Sequence, residues 1–226
     1  SRRIRILFGT NEETGCDDMA WYLAHGGETP VMGFTPDGEY PIINGEKGIM
    51  NCVYARRLEQ TGPCRLLRFE GGTAANVSPA YAMAELACPA DAAARIQASK
   101  VTVTPIEGGI RVEAQGVSAH GSTPEQGENA IGRLALALTQ LPLEGELADC
   151  MAFLAGRIGM ETHGESLGLA MRDDLSGDLT VNLGVAAFAE ETLSLTLSVR
   201  YPVTKTYDDA HPRMERAFAL GGFHET

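Results

Sequence analysis

No apolar run in this chain approaches the ~20 residues that span a bilayer, and the first residues carry no apolar core of a signal peptide. A membrane partner is therefore not expected. Basic residues are also scarce, 18 Lys and Arg against 30 Asp and Glu, for a formal charge of −12. A surface so acidic repels a phosphate backbone instead of releasing its counterions, which excludes nucleic acid as a main partner. The five cysteines, Cys16, Cys52, Cys64, Cys88 and Cys150, form no C-x-x-C pair, and no histidine stands at metal-ligand spacing from them. An odd, scattered set of this kind reads as reduced thiols of a cytoplasmic protein. Internal repeats and low-complexity segments are missing as well. What is present is ordinary: 226 residues, 44% of them hydrophobic, enough for a real core in one large or two small domains.

Two short apolar runs, residues 4–8 and 31–34, read as buried parallel strands that end in turn residues. Between them Asp17-Asp-Met-Ala-Trp-Tyr-Leu reads as a helix, its acids suited to the N-terminal end of the macrodipole. That order predicts a right-handed βαβ unit. From about Gly45 the pattern changes. Residues 49–58 and 65–69 read as paired strands split by Thr61-Gly-Pro. The alanine-rich stretch 89–99 is predicted helical, and 101–106 with 109–116 form a hairpin around Glu107-Gly-Gly. A longer helix is predicted from Ser122-Thr-Pro, carrying Ile131, Leu134, Leu138 and Leu141 on one face. A second helix over 145–157 follows, then a loop over 160–178, strands over 179–187 and 192–201, and a last helix around 211–220. The expected fold class is an α/β catalytic-domain fragment (βαβ, residues 1–46) followed by an α+β lid domain, residues 47–226, with an antiparallel sheet and helices on one face.

Chemistry concentrates in a few places. Glu12 and Glu13 leave the first strand in Phe8-Gly-Thr-Asn-Glu-Glu-Thr-Gly, and Asp37 leaves the second in Gly33-Phe-Thr-Pro-Asp-Gly-Glu. Ligands of open α/β sheets sit beyond the carboxyl ends of the strands. Adjacent acids pointing in different directions allow one to bind a metal while the other takes the proton of a water. Asp37 adds another hard oxygen ligand. No histidine lies within ten residues of these acids, so they are half of a site. A second constellation is Gly116-Val-Ser-Ala-His-Gly-Ser-Thr-Pro-Glu, where small neighbours leave His120 accessible to donate a hydrogen bond to a developing oxyanion.

Together with Pro36-Asp-Gly-Glu-Tyr-Pro-Ile-Ile-Asn-Gly-Glu-Lys-Gly and the run from Ser118 to Ile131, these segments make the chain resemble the dinuclear-zinc dipeptidase and deacylase family. Within it the PepV-like, carnosinase-related dipeptidases are the nearest in pattern. The resemblance implies Glu12 as general base, Glu13 as a ligand of one metal and Asp37 as a ligand of the other. It implies His120 as the lid histidine that polarises the scissile carbonyl. It further implies Asn76 as a lid contact to substrate and Arg200, in Ser-Val-Arg-Tyr-Pro, as the anchor of the substrate carboxylate.

The family's histidine and bridging aspartate ahead of the Glu-Glu strand, and its histidine ligand after the lid, have no counterpart here. One protein ligand per metal falls short of the three or four that zinc takes, so the chain reads as an excerpt that binds metal poorly and does not hydrolyse peptides by itself. For the parent protein the resemblance implies a metal-dependent dipeptidase with two divalent ions, zinc first, with manganese or cobalt not separated by oxygen ligands. Its substrate is a small peptide. The alternatives are an N-acyl-amino-acid or succinyl-diaminopimelate deacylase, and a non-catalytic lid that self-associates, as a homodimer, through an exposed sheet edge or helix.

Overall fold

The computed structural model describes residues 3–10, 17–36, 41–89 and 91–226. Two compact units divide the chain, Ser1–Asn44 and Gly45–Thr226.

In the first unit the predicted helix is present as α1 (Asp17–Ala24), and it buries none of its residues. The two predicted strands are not. Residues 4–8 and 31–34 carry no strand pairing, and Phe8, Val31 and Phe34 are at least 90% exposed. The βαβ reading is corrected accordingly. A parallel strand needs neighbours on its edges and helices on both faces, and the described part of this unit provides neither.

The second unit is built around eight antiparallel strands. Its elements are β1 (Gly48–Arg57), β2 (Arg65–Gly71), β3 (Val77–Ser78), β4 (Tyr81–Ala87), β5 (Val101–Ile106), β6 (Gly109–Gln115), β7 (Ala119–His120), α2 (Ala130–Leu138), α3 (Gly145–Phe153), β8 (Arg172–Asp173), β9 (Gly177–Asp178), β10 (Thr180–Ala189), β11 (Thr192–Tyr201), α4 (Tyr207–Leu220) and β12 (His224–Glu225). The main sheet runs β12-β1-β11-β10-β2-β4-β6-β5, and two small ribbons pair β3 with β7 and β8 with β9.

The register shows how this sheet makes a core. Tyr54 faces Leu195, Leu195 faces Ala186, Ala186 faces Gly71, Gly71 faces Ala82, and Ala82 faces Ala114. Directly paired residues share a face, so this row defines one side of the sheet across six strands. At one end of the row Tyr54 stacks on Phe218 of α4, ring centroids 4.1 Å apart. Further along, a Cβ on Gly71 would come within 2.5 Å of the Ile131 side chain of α2. Both helices therefore cover the same side. Ala210, Met214 and Phe218 are the buried stripe of α4, four residues apart as an amphipathic helix requires. A capping box between Thr206 and Asp209 starts that helix.

Several sequence expectations change in detail. β1 and β2 do not pair with each other: β1 lies between β11 and β12, and β2 between β10 and β4. The helix predicted from Pro124 begins only at Ala130, because the Asn129 side chain accepts from the Ile131 and Gly132 amides and caps it there. A 3₁₀ turn, Pro124–Gln126, precedes it. The alanine-rich segment forms only the short 3₁₀ turn Ala92–Arg95. The predicted hairpin of β5 with β6 is present, and the two strands predicted over 179–187 and 192–201 pair with each other as β10 and β11.

Cys64 and Cys88 are joined as a disulfide, which corrects the reading of all five cysteines as reduced thiols. Arg65 pairs with Ala87 across β2 and β4, so the register carries the next residues out, Cys64 and Cys88, into reach of one another. Cys52 and Cys150 are buried thiols, and burial pushes both up to about 12. Among the described residues no helix is long and apolar enough to cross a membrane.

Candidate functional site

The side of the sheet away from α2 and α4 is polar, with Arg111 bridging to Glu85 beside Arg68 and Glu70. Near the start of β10 and the end of β11 this side is buried. Thr180 faces Arg200 and Asn182 faces Ser198, and Thr180, Asn182 and Ser198 are each 3% exposed or less. The covering layer is the chain before and through β3. Asn182 Nδ2 donates to the Ala75 carbonyl (2.7 Å), and the Ser78 hydroxyl donates to Asn182 Oδ1 (2.6 Å). Close approach requires a glycine here. At the β10 bulge, where the register shifts between Leu183 and Val185, a Cβ on Gly184 would lie 2.4 Å from the carbonyl oxygens of Ala74 and Ala75.

Three of the residues singled out from sequence meet around this covered end. The Gly121 amide donates to the Asn76 carbonyl (2.7 Å), and Val77 pairs with His120 in the β3–β7 ribbon. The Thr180 hydroxyl donates to the Gly121 carbonyl (3.4 Å), and Thr180 is the register partner of Arg200. A continuous set of backbone and side-chain contacts thus links Asn76, His120 and Arg200. Gly121 fits because a Cβ would press on the Asn76 backbone at 3.1 Å.

His120 and Arg200 bring polar groups to this end. His120 is exposed, and its Nδ1 lies 2.7 Å from the Ser122 hydroxyl. The Ser122 amide points its N–H at the same Nδ1 across 3.4 Å. A nitrogen that accepts from an amide carries no proton, so the imidazole proton sits on Nε2, free to donate outward. The Arg200 Nε is buried and has no hydrogen-bond partner among the described residues. An unsatisfied buried donor asks for an acceptor, and a carboxylate is the group a guanidinium binds best.

Glu12, Glu13 and Asp37 lie outside the described residues, as does Cys16. Ser122, Thr180 and Asn182 were not anticipated. Ser122 sits inside the quoted histidine motif, whereas Thr180 and Asn182 read in sequence only as strand residues. A separate concavity of about 630 Å³ includes Arg157, Glu165, Arg213 and Arg216 in its lining and contains none of the site residues.

Residues 107–209 match the family of peptidase dimerisation domains. The chain is 33% identical over 211 residues to the Beta-Ala-Xaa dipeptidase of Lactobacillus delbrueckii subsp. lactis, covering 89% of this chain and 45% of that protein. It is 30% identical over 240 residues to the putative dipeptidase YtjP of Bacillus subtilis (100% and 52% covered). To a putative dipeptidase of Staphylococcus epidermidis it is 32% identical (99% and 50% covered). The chain spans about half the length of these relatives.

Proposed function

We propose, for a chain that carries the dimerisation domain of the M20 peptidases and is similar to dipeptidases along nearly all its length, that the parent protein is a metal-dependent dipeptidase. The observation that carries this reading is the meeting of Asn76, His120 and Arg200 at one end of β10 and β11. In it, residues 47–226 are the lid that encloses substrate and residues 1–46 belong to the catalytic domain.

Arg200 and His120 have tasks that their surroundings suit, and the other roles follow the resemblance. Arg200 holds the C-terminal carboxylate of a small peptide, and that carboxylate supplies the acceptor its buried Nε lacks. The Nε2–H of His120 donates to the scissile carbonyl oxygen as negative charge builds there, an interaction stronger in the transition state than in the ground state. Asn76 contacts the substrate from the turn just before β3, the strand that pairs with His120. Glu12 takes the proton of the attacking water. Glu13 and Asp37 would each hold one of two divalent ions, whose chemistry is to lower the pKa of a water and polarise the carbonyl. Hard carboxylate oxygens suit zinc and also manganese or cobalt. Two carboxylates are fewer ligands than two zinc ions need, so Glu13 and Asp37 alone are expected to hold these ions weakly and the 226 residues to be inactive.

Substrate profiling of the purified parent protein tests the reading. Turnover of unblocked dipeptides, lost in His120→Ala by a factor of about 10² to 10³, is the expected result. Turnover confined to N-acyl amino acids or N-succinyl-diaminopimelate would place the same residues in a deacylase.

The dimerisation-domain match favours a second task for the same lid. β5 is an outer strand of the sheet and pairs only with β6, and an uncovered edge can pair two subunits. Light scattering of the chain would show a dimer; a monomer at every concentration would remove this role.

A further inference from the structure

On the helix-covered side of the sheet, away from Asn182 and Ser198, stand three side chains of the types that ligate metals. Cys52 of β1, His211 of α4 and Glu225 of β12 offer ligand atoms that all lie within 4.8 Å of one another. Their placement follows from the fold. Cys52 and Tyr54 are buried inward-facing residues of β1, and Glu225 is the register partner of Tyr54 on the outer strand. His211 stands on the first turns of the helix that packs over them, and its ring is stacked on Tyr207, centroids 4.6 Å apart. The His211 Nε2 already faces the Glu225 carboxylate at 2.7 Å.

From this juxtaposition we infer that Cys52, His211 and Glu225 form a binding site for one zinc ion, separate from any site built on Glu13 and Asp37. Thiolate, imidazole and carboxylate are the three side chains zinc accepts, and three protein ligands with a fourth position left to water is a common zinc arrangement. The ordinary alternative is a His–Glu ion pair beside a buried thiol. Position separates the two readings: these ligands come from three elements that meet at one sheet edge, with the thiol inside and the carboxylate at the surface where an ion enters. Two ligands of a tetrahedral zinc stand about 3.3 Å apart, so His211 and Glu225 must open slightly to admit it. Glu225 lies near the surface on a short outer strand and is free to make that shift. On binding, the Cys52 sulfur gives its proton to solvent and bonds the ion, and the His211 Nε2 gives up the proton it donates to Glu225, which returns to the ring at Nδ1 through solvent, so that the freed lone pair bonds the metal. The result ties α4 and β12 to β1.

Cobalt(II) titration of the full chain reads this site without any enzyme assay. A thiolate ligand gives an intense near-ultraviolet charge-transfer band that carboxylate ligands do not. One equivalent of cobalt should produce that band, zinc should displace it, and zinc should raise the melting temperature by mass action. Cys52→Ser should abolish the band. His211→Asn and Glu225→Gln, at partly exposed positions that leave the fold intact, should each weaken zinc binding by about tenfold or more. Absence of the band in the wild-type chain, or its survival in Cys52→Ser, overturns the site. Neither result bears on the dipeptidase reading, which uses no cysteine.

Discussion

The two sides of the main sheet are held by different physics. On one side α2 and α4 lie over a row of apolar residues running from Tyr54 to Ala114, and burial of carbon is what fastens them. On the other, around the start of β10, the covering chain is held by hydrogen bonds from Asn182, Ser78 and Thr180. Apolar packing is non-directional and tolerates adjustment. Hydrogen bonds fix atoms in place, which is what residues meant to orient a substrate require. The apolar side makes the domain stable, and the directional side fixes the positions of the atoms it holds.

The largest effect should therefore come from the apolar side. Phe218 is fully buried against Tyr54 and also meets Phe153 and Phe223. Phe218→Ala should cost about 3–5 kcal/mol, measured by denaturant unfolding of the chain. A cost near zero would mean that α4 does not need its aromatic anchor, and the contrast between the sides would fail.

Next in size is the polar cover. Asn182→Ala leaves the Ser78 hydroxyl and the Ala75 carbonyl without their partner and should cost about 1–3 kcal/mol. In the parent protein it should also lower turnover, because the chain it releases carries Asn76 and faces His120. Unchanged turnover in a destabilised Asn182→Ala protein would separate this network from the site.

How much of this was legible in the sequence depended on distance along the chain. The β5–β6 and β10–β11 hairpins join neighbours, and alternation with a turn signal suffices for them. β1 offered the same local signal, yet its partner is β11, and no turn residue announces a pairing across some 140 residues. The Cys64–Cys88 disulfide follows from the register of β2 with β4 and is invisible without it. His120 was singled out by its small neighbours and Arg200 by the resemblance. Thr180 and Asn182, which hold the covering chain in place, look in sequence like any polar strand residue. The apolar runs at 4–8 and 31–34 failed as strands because periodicity reports a wish to be buried, and burial needs partners.

A smaller effect is expected in acid. The Asp173 carboxylate accepts from the Ser176 amide (2.6 Å) and hydroxyl, and from the Thr204 amide and hydroxyl, tying the turn after β8 to the segment just beyond β11. Those donors, the Ser176 amide foremost, hold its pKa well below the ordinary carboxylate value. A group whose folded pKa is depressed stabilises the fold above its unfolded value, about 3.9, and loses that contribution as pH falls from there toward the folded value. Asp173→Asn should therefore be less stable than wild type at neutral pH and converge with it in acid, read as a flatter fall in melting temperature below about pH 4. Parallel curves would remove the latch.

The smallest expected effect on stability is the most informative for function. Arg200 lies on the polar side, yet among the described residues its Nε has no hydrogen-bond partner, so that donor takes no part in the cover that Asn182 maintains. Removing a buried donor that has no partner leaves nothing unsatisfied behind, and an apolar side chain of similar length fills the same space. Arg200→Met should therefore change the unfolding free energy by less than about 0.5 kcal/mol, or stabilise the fold slightly. In the parent protein the same variant should raise KM for dipeptides and leave the KM of peptides blocked by C-terminal amidation unchanged. A group that holds the carboxylate matters only to substrates that have one. Equal losses for free and amidated peptides would make Arg200 a structural residue after all, and the polar side of the sheet would then recognise its substrate through His120 and Asn76 alone.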